Sequence, residues 1–404
     1  MNKKQLTEQA KVHLDVLCSE ISERRVGSEG NRMASDYVKR IFEKSDWDIE
    51  ETELLVMDWE TEGATLCCGK ESFEVFSSHY SLGCAVEGEL LPVDTLEKLE
   101  NVDMTGRILL LHGPIAAAQI TPIGFPFYSV GEHERILYLL EKGNPSAIVT
   151  ATGRDSLTAG GVYPFPMFED GKFDIPSVYM KDSEGEKLLA CAGKSVRLIS
   201  KAKRIPETAY NVIGRKGSDP AKRIVISAHI DAKIGTPGAI DNATGVTVLL
   251  LLSEMLKGYS GKYMIELAAF NGEDYYAVPG QAKFLEQNEG QFGNIALNIN
   301  IDGAGLKEGA SCFSPFGLPD DMQKALNRII ADNPDIVEGL PWYQSDHSMF
   351  IQQGCPAIAV SSQFFIENMK TQDITHTPKD NLSIVGYERV VDCAVGIKEL
   401  IEQL

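Results

Sequence analysis

The second half of the chain alternates short apolar runs with helical patterns. Apolar runs occupy residues 223–228, 263–270, 296–301 and 356–361, and helices are predicted at 245–256, 279–287, 320–331 and 387–400. A continuous apolar run of this length is typical of a strand buried on both faces. Buried strands that alternate with helices predict an α/β fold with a doubly wound mixed sheet flanked by helices.

The first half predicts a different organisation. Two helical patterns open the chain, one over residues 3–22 and one that Ser28 is placed to cap. From about residue 58 to 206, short apolar runs such as 107–111 and 147–150 alternate with turns rich in glycine and proline. This stretch is predicted to form a smaller β-rich domain with one or two helices, the clearest at 130–142. A length of 404 residues also favours two domains over one.

Composition argues against several classes of partner. The formal net charge is −20, and no cluster of lysine and arginine suits phosphate groups, so neither nucleic acid nor an anionic membrane is expected. The longest apolar stretch, residues 246–252, is far shorter than the roughly 20 residues of a membrane span. The first ten residues lack the apolar core of a signal peptide, and the eight cysteines form no C-x-x-C pair. Together these features predict a cytoplasmic protein with reduced thiols.

Ionisable side chains follow the predicted strands at the points where the strands end. The carboxyl ends of such strands meet at one edge of the sheet, where folds of this class bind ligands. Neutral imidazole and carboxylate are ligands that suit zinc, and one carboxylate can bridge two ions. The set therefore predicts a site for two metal ions. Its members are His229 and Asp231 after the first strand, Asp241 before the following helix, Glu273 and Asp274 after the second strand, Asp302 after the third and His376 beyond the fourth.

The adjacent carboxylates of Glu273 and Asp274 are predicted to have different roles at such a site. Neighbouring side chains normally point to different faces of their element, and like charges repel. Beside two metal ions, one carboxylate can ligate a metal while the other takes a proton from a metal-bound water. Taken alone, the pair also fits an ordinary surface loop, and each single residue of the set also fits a helix cap or a turn.

Seven short motifs follow one another as they do in the M28 family of co-catalytic zinc peptidases, which the chain resembles over most of its length. They are SAHID at 227–231, GAIDNATG at 238–245, FNGED at 270–274, GQAKF at 280–284, NIDG at 300–303, SDH at 345–347 and HTPKD at 376–380. The resemblance implies a zinc-exopeptidase-like fold and two zinc ions per chain.

Carried over residue by residue, the resemblance implies ligands for each metal position. His229 and Asp302 would bind one zinc ion, Asp274 and His376 would bind the other, and Asp241 would bridge the two. The family often has glutamate where Asp274 stands, so this ligand is a departure from the pattern.

The resemblance also implies two catalytic residues. Glu273 would be the general base. Asp231, two residues beyond His229, would accept the second imidazole N–H of that histidine and so fix its tautomer.

The SDH motif has two interpretations. It precedes an amphipathic stretch, so it fits a helix capped by Ser345 or Asp346. It also fits a wall of the active site, in which case His347, Tyr343 or Trp342 is a candidate donor to the oxyanion of a tetrahedral intermediate.

The resemblance changes the expected domain map. The motif RVGSEGN at 25–31 is similar to the opening of the family's catalytic domain, so residues 1–57 and 206–404 are assigned to one peptidase domain. Residues 58–205 then resemble an inserted protease-associated domain. Such an insertion is expected to line a substrate cleft, to mediate contacts in a homo-oligomer or to be a structural filler.

The function implied by this resemblance is that of a zinc-dependent aminopeptidase. Its substrate would be a peptide with a free N-terminus, whose α-amine suits an acidic ligand shell better than a carboxylate does. Two alternatives remain open at this point: a glutaminyl-cyclase-like aminoacyl cyclotransferase with a single zinc ion, and a receptor-like homologue without catalytic activity.

Overall fold

The computed structural model describes residues 2–21, 23–126 and 128–404, which form eleven α-helices and fourteen β-strands. The helices are α1 Lys3–Asp15, α2 Glu29–Lys44, α3 Leu96–Asn101, α4 Gly131–Gly143, α5 Asp182–Leu188, α6 Thr244–Met255, α7 Pro279–Gln287, α8 Asp320–Asp332, α9 His347–Gln352, α10 Gln363–Asn368 and α11 Tyr387–Gln403. The strands are β1 Asp48–Cys68, β2 Glu71–Phe73, β3 Phe76–Ser77, β4 Cys84–Val93, β5 Ile108–Leu111, β6 Ala147–Thr152, β7 Ser177–Lys181, β8 Ser195–Lys216, β9 Arg223–His229, β10 Met264–Phe270, β11 Ile295–Ile301, β12 Ser311–Phe316, β13 Ile336–Glu338 and β14 Ala357–Ser362. Among the described residues, no helix combines the length and the apolar character that crossing a membrane requires.

The chain divides into two units. The first contains the chain up to Val56, Thr208–Asp274 and Val278–Leu404, and the second contains Met57–Glu207 together with Tyr275–Ala277. The boundaries expected from the sequence lie after residues 57 and 205. The three residues at 275–277 were not expected to belong to the second unit.

The first unit is built on a mixed sheet. Its strand order is β13-β12-β14-β11-β9-β10-β8. Strands β14, β11, β9 and β10 are parallel to one another, whereas β12 runs antiparallel to β14 and β8 runs antiparallel to β10. Every residue of β9 and β14 is buried, as expected for strands that are covered on both faces.

Helices cover both faces of this sheet. On one face, α1, α2, α6, α8 and α11 pack in one apolar cluster with the central strands. Ala269 of β10 belongs to that cluster, so the next residue, Phe270, points to the opposite face. There Phe270 contacts Phe284 of α7, with 5.1 Å between ring centroids, and Phe284 contacts Phe350 of α9 at 5.5 Å. The predicted doubly wound α/β fold is confirmed.

The two opening helices differ from their prediction in one respect. The Ser28 hydroxyl caps α2 by accepting a hydrogen bond from the backbone N–H of Asn31, as expected. The first helix was expected to reach residue 22, but α1 ends at Asp15 and the chain continues as a π-helical turn over Val16–Glu20.

Burial of His13 on α1 makes stability sensitive to acid. The side chain is 5% exposed, and burial lowers its pKa from 6.5 to about 4. The unfolded chain therefore takes up a proton below pH 6.5, whereas the folded chain does so only near pH 4. We expect His13 to contribute a loss of about 2 kcal/mol in unfolding free energy between pH 7 and pH 5. Urea unfolding at both pH values should show a smaller loss in His13→Gln, and an equal loss in both proteins would contradict this assignment.

In the second unit the strand order is β8-β4-β5-β6-β7-β3. Strands β4 to β7 are parallel, and β3 runs antiparallel to β7. Helices α3 and α4 pack against one apolar cluster, and Leu188 of α5 belongs to another. The described residues of this unit form three α-helices where one or two helices were expected. Because α3 and α5 have six and seven residues, they are too short to show a clear helical period in the sequence.

Candidate active site

The predicted site residues lie at the carboxyl edge of the first unit's sheet. In the parallel pair β9 and β10, His229 lies opposite Phe270, so the segment after β10 begins beside that histidine. The neighbouring strand β11 ends just before Asp302, whose backbone N–H donates to the carbonyl of Val360 on β14. Parallel strands in register therefore place these chain segments at the same level of the sheet.

Asp241 lies between two histidines. Its Oδ1 atom is 3.2 Å from Nε2 of His229, and its Oδ2 atom is 3.2 Å from Nε2 of His376. Each histidine also faces a second carboxylate: His376 Nε2 is 2.9 Å from Asp274 Oδ1, and His229 Nε2 is 3.7 Å from Asp302 Oδ1. The arrangement therefore provides two candidate metal positions. Each contains one imidazole nitrogen and one carboxylate of its own, and both share Asp241.

The donor atoms converge closely enough to bind metal ions. One ligand atom from each of His229, Glu273 and Asp302 lies within 4.8 Å of the others, and the same is true of His229, Asp241 and Asp274. Nε2 of His229 and Oδ2 of Asp274 are buried and have no hydrogen-bond partner in the part of the chain that the structure describes. Buried polar atoms without partners are costly, and a bound cation would satisfy both. This set of nitrogen and oxygen donors fits zinc.

The tautomer of His229 follows from its contact with Asp231. Nδ1 of the ring lies 3.1 Å from the backbone carbonyl oxygen of Asp231 and 3.6 Å from its carboxylate. A carbonyl oxygen can only accept, so Nδ1 carries a hydrogen, and Nε2, which faces the carboxylates, is the ring atom that could bind a metal ion. The carboxylate was the acceptor expected from the sequence, and the carbonyl is the nearer one.

The carboxylate of Asp231 binds the loop that carries Glu273. It is fully buried and accepts three backbone hydrogen bonds, from the N–H groups of Gly272 at 2.6 Å, Glu273 at 3.2 Å and Asp274 at 3.1 Å. Asp231 therefore fixes the backbone at Glu273.

Crowding of acidic groups changes their ionisation. Burial raises the pKa of Glu273 well above its usual range, and the carboxylates of Asp302 and Asp274 raise it further. Burial and the neighbouring Asp241 also raise the pKa of Asp274. Closely spaced carboxylates repel one another, so a cation at this position would stabilise their charged forms.

Ser345 orients Asp302. The Ser345 hydroxyl donates to Oδ2 of Asp302 at 2.6 Å and accepts from the Asn300 amide at 2.9 Å, and Asn300 in turn accepts from Ser227 at 2.8 Å. This buried chain leaves Oδ1 of Asp302 facing His229. The contact with Asp302 supports the active-site interpretation of the SDH motif.

The helical interpretation of the same motif is partly correct. Helix α9 begins at His347, but neither predicted cap forms, because no side-chain cap bond is made at Asp346 and the Ser345 hydroxyl bonds to Asp302. The Asp346 carboxylate instead accepts a hydrogen bond from Gln281 at 2.8 Å.

Two residues without an assigned role support the loop of Asp241. The carboxylate of Asp380 accepts hydrogen bonds from the backbone N–H groups of Ile240 at 2.7 Å and Asp241 at 3.0 Å. Arg24 is 2% exposed and donates to the carbonyls of Ile230 at 2.9 Å and Gly238 at 2.8 Å. Asp380 lies in a recognised motif, but nothing in the local sequence marks Arg24.

The three oxyanion candidates have different environments. His347 is buried, and Nε2 lies 2.7 Å from the carbonyl of Trp342, to which it donates. Burial lowers the pKa of His347 to about 4, so the ring is neutral at pH 7 and has no second N–H to offer. Tyr343 is 59% exposed, and the indole N–H of Trp342 is buried without a hydrogen-bond partner among the described residues. Tyr343 and Trp342 therefore remain the candidate donors.

Comparison with known protein families identifies the domain that contains this site. Residues 211–401, which include all five proposed metal ligands, match the family model described as peptidase family M28. These residues form an M28 peptidase domain. The M28 domain also contains Glu273, Asp231 and the SDH motif, whereas Arg24 and most of the second unit lie outside it.

Solved structures similar to the chain establish the fold around the M28 domain. The aminopeptidase from Aneurinibacillus sp. strain AM-1 has a TM-score of 0.76 and 21% sequence identity, with 100% of this chain and 96% of that chain covered. BSAP, a zinc aminopeptidase from Bacillus subtilis, has a TM-score of 0.74 and 19% identity, with 98% and 94% covered. Both likenesses extend over the first and second units.

A curated relative supports the family at the level of sequence. Aminopeptidase YwaD of Bacillus subtilis is 25% identical over 265 residues, which cover 62% of this chain and 55% of the relative. The chain spans about half the length of the curated relatives it matches.

Proposed function

We propose that the chain is a zinc-dependent aminopeptidase that hydrolyses the N-terminal peptide bond of peptides with a free N-terminus. The observation that carries this proposal is the position of Asp241, whose two oxygens each lie 3.2 Å from Nε2 of a different histidine. The relatives named aminopeptidases support the choice of reaction. In this proposal the second unit is an inserted protease-associated domain.

In this proposal the donor set binds two zinc ions. His229 and Asp302 would bind one ion, His376 and Asp274 would bind the other, and Asp241 would bridge them. Zinc bound there would supply Lewis-acid polarisation of the scissile carbonyl and would lower the pKa of a water molecule.

The chain's own residues perform the remaining tasks. Glu273 takes a proton from the attacking water and later delivers it to the leaving amine. Asp231 keeps the Glu273 backbone in place through its three N–H contacts. Ser345 directs Oδ1 of Asp302 towards its metal position by binding Oδ2. The acidic ligand shell also attracts the positively charged α-amine of the substrate.

A panel of aminoacyl chromogenic substrates, assayed before and after chelation with metal content measured on the same sample, tests this function. Two zinc ions per chain and release of free amino acids, both lost on chelation, are expected. One zinc ion with formation of pyroglutamate would instead identify a glutaminyl-cyclase-like enzyme. Failure to bind metal when zinc is supplied would favour the receptor-like alternative.

Replacing His376 should remove one metal position. We expect His376→Ala to bind about one zinc ion per chain in place of two, because the metal position beside Asp241 and Asp274 loses its nitrogen ligand. Elemental analysis after dialysis measures the change. His112→Ala, in the second unit, is the matched control and should keep the zinc content of the unaltered protein. Unchanged zinc in His376→Ala would show that His376 is not a ligand.

A further inference from the structure

We propose that packing of residues 275–277, which directly follow Asp274, positions Glu273, with Tyr276 as the positioning residue. This inference rests on the proposed function, which makes Glu273 the general base. The chain leaves the first unit after Asp274 and returns to it at Val278. The three residues between them belong to the second unit, and Tyr275 is only two residues from Glu273.

Two tyrosines of this segment pack on other residues of the second unit. The ring of Tyr276 makes an edge contact with Tyr80, with centroids 4.7 Å apart, and the ring of Tyr275 lies 6.3 Å from the same residue. Tyr275 is 3% exposed and Tyr80 is fully buried. Tyr276 also packs directly on the backbone of Gly171, where an added Cβ atom would lie 2.4 Å from the Tyr276 hydroxyl oxygen.

Tyr80, which contacts both tyrosines, is itself held by a hydrogen bond and by aromatic packing. The backbone carbonyl of Tyr80 accepts a hydrogen bond from Arg204 Nε at 2.6 Å. The ring of Trp59 lies 6.3 Å from Tyr80 and stacks on His79 with 4.5 Å between centroids. A packed aromatic cluster of this kind resists displacement, so it can hold the tyrosines in one place.

The two ends of the loop are constrained as well. At its start, the N–H groups of residues 272–274 bind the carboxylate of Asp231. At its end, Val278 has φ 37° and ψ 55°, a left-handed conformation that a β-branched residue rarely adopts. Such a conformation persists only where the surrounding structure imposes it. Glu273 lies between Asp231 and the tyrosines, so its position depends on both contacts.

Hydrogen exchange and kinetics of four full-length variants test the proposal. Tyr276→Ala removes the contact, and Gly171→Ala displaces the Tyr276 ring from a position outside the loop. Tyr276→Phe keeps the ring. Gly131→Ala is the matched glycine control, because an added Cβ at Gly131 meets nothing within 4 Å.

In the metal-free protein, amides 272–274 should exchange about tenfold faster in Tyr276→Ala and Gly171→Ala, and at the original rate in Tyr276→Phe and Gly131→Ala. In the zinc-loaded protein, the first two variants should lose about tenfold in kcat, with KM and zinc content unchanged, because a small misplacement of a catalytic group is costly. Unchanged exchange would overturn the proposal. Faster exchange with unchanged kcat would also overturn it, since Glu273 would then not depend on the contact.

Aminopeptidase activity and the role of Tyr276 are tested by separate measurements. If the unaltered protein hydrolyses no aminoacyl substrate, the proposed function is wrong. The exchange rates then still decide whether the packing of Tyr276 holds the loop, because that measurement needs neither zinc nor turnover.

Discussion

Replacing Glu273 with glutamine is expected to reduce kcat by about 10²- to 10⁴-fold while the fold and the zinc content stay unchanged. Glutamine has nearly the shape of glutamate, but its amide cannot accept the proton of the attacking water. The hydrogen bonds that hold the loop use the backbone N–H groups of residues 272–274, so the substitution leaves them intact. The loss should therefore fall on the chemical step.

Steady-state kinetics and elemental analysis on the same preparation measure this effect. Glu289→Gln is a suitable control, because Glu289 is exposed and lies in the turn after α7. It should retain full activity. Retained activity in Glu273→Gln would exclude Glu273 as the base, whereas loss of zinc in that variant would indicate that Glu273 is a ligand.

Replacing Asp231 with alanine is expected to lower the unfolding free energy by about 3–5 kcal/mol, because three backbone N–H groups lose a buried carboxylate acceptor at once. The nearer acceptor of the His229 ring hydrogen is the backbone carbonyl of residue 231, which alanine retains. Zinc binding should therefore suffer less than stability and turnover.

Urea unfolding together with zinc titration separates these effects. Asp231→Asn keeps one carboxamide oxygen as an acceptor and should fall between alanine and the native residue. Asp332→Ala changes an exposed aspartate at the end of α8 and serves as the control, with an expected effect within about 0.5 kcal/mol. A loss of less than about 1 kcal/mol in Asp231→Ala would show that water replaces the carboxylate without cost.

Local patterns predicted the central elements of the first unit closely. The strand expected at 223–228 is observed at Arg223–His229, and the helix expected at 279–287 is observed at Pro279–Gln287. These elements are apolar or periodic throughout, so their burial is visible in the sequence. The 22-residue strand β8 was not predicted, because its middle carries charged residues and Pro206.

At the candidate site, too, only features visible in the local sequence could be predicted. The identities of His229, Asp241 and His376 could be proposed from motifs, because metal binding requires particular side chains. The function of Asp231 as acceptor for three N–H groups could not, since its partners are backbone atoms more than 40 positions away. Contacts of this kind depend on how the chain folds and leave no mark on the residues nearby.

The contacts of Arg24 bear on the choice of a fragment for expression. Its guanidinium binds the carbonyls of Ile230 and Gly238, both within the connection between His229 and Asp241, although the family match begins only at residue 211. A fragment limited to residues 211–401 would lose the Arg24 guanidinium and would expose the sheet face that α1 and α2 cover. The region recognised by sequence is therefore smaller than the unit that can fold around the site, and any expression fragment needs the N-terminal helices as well.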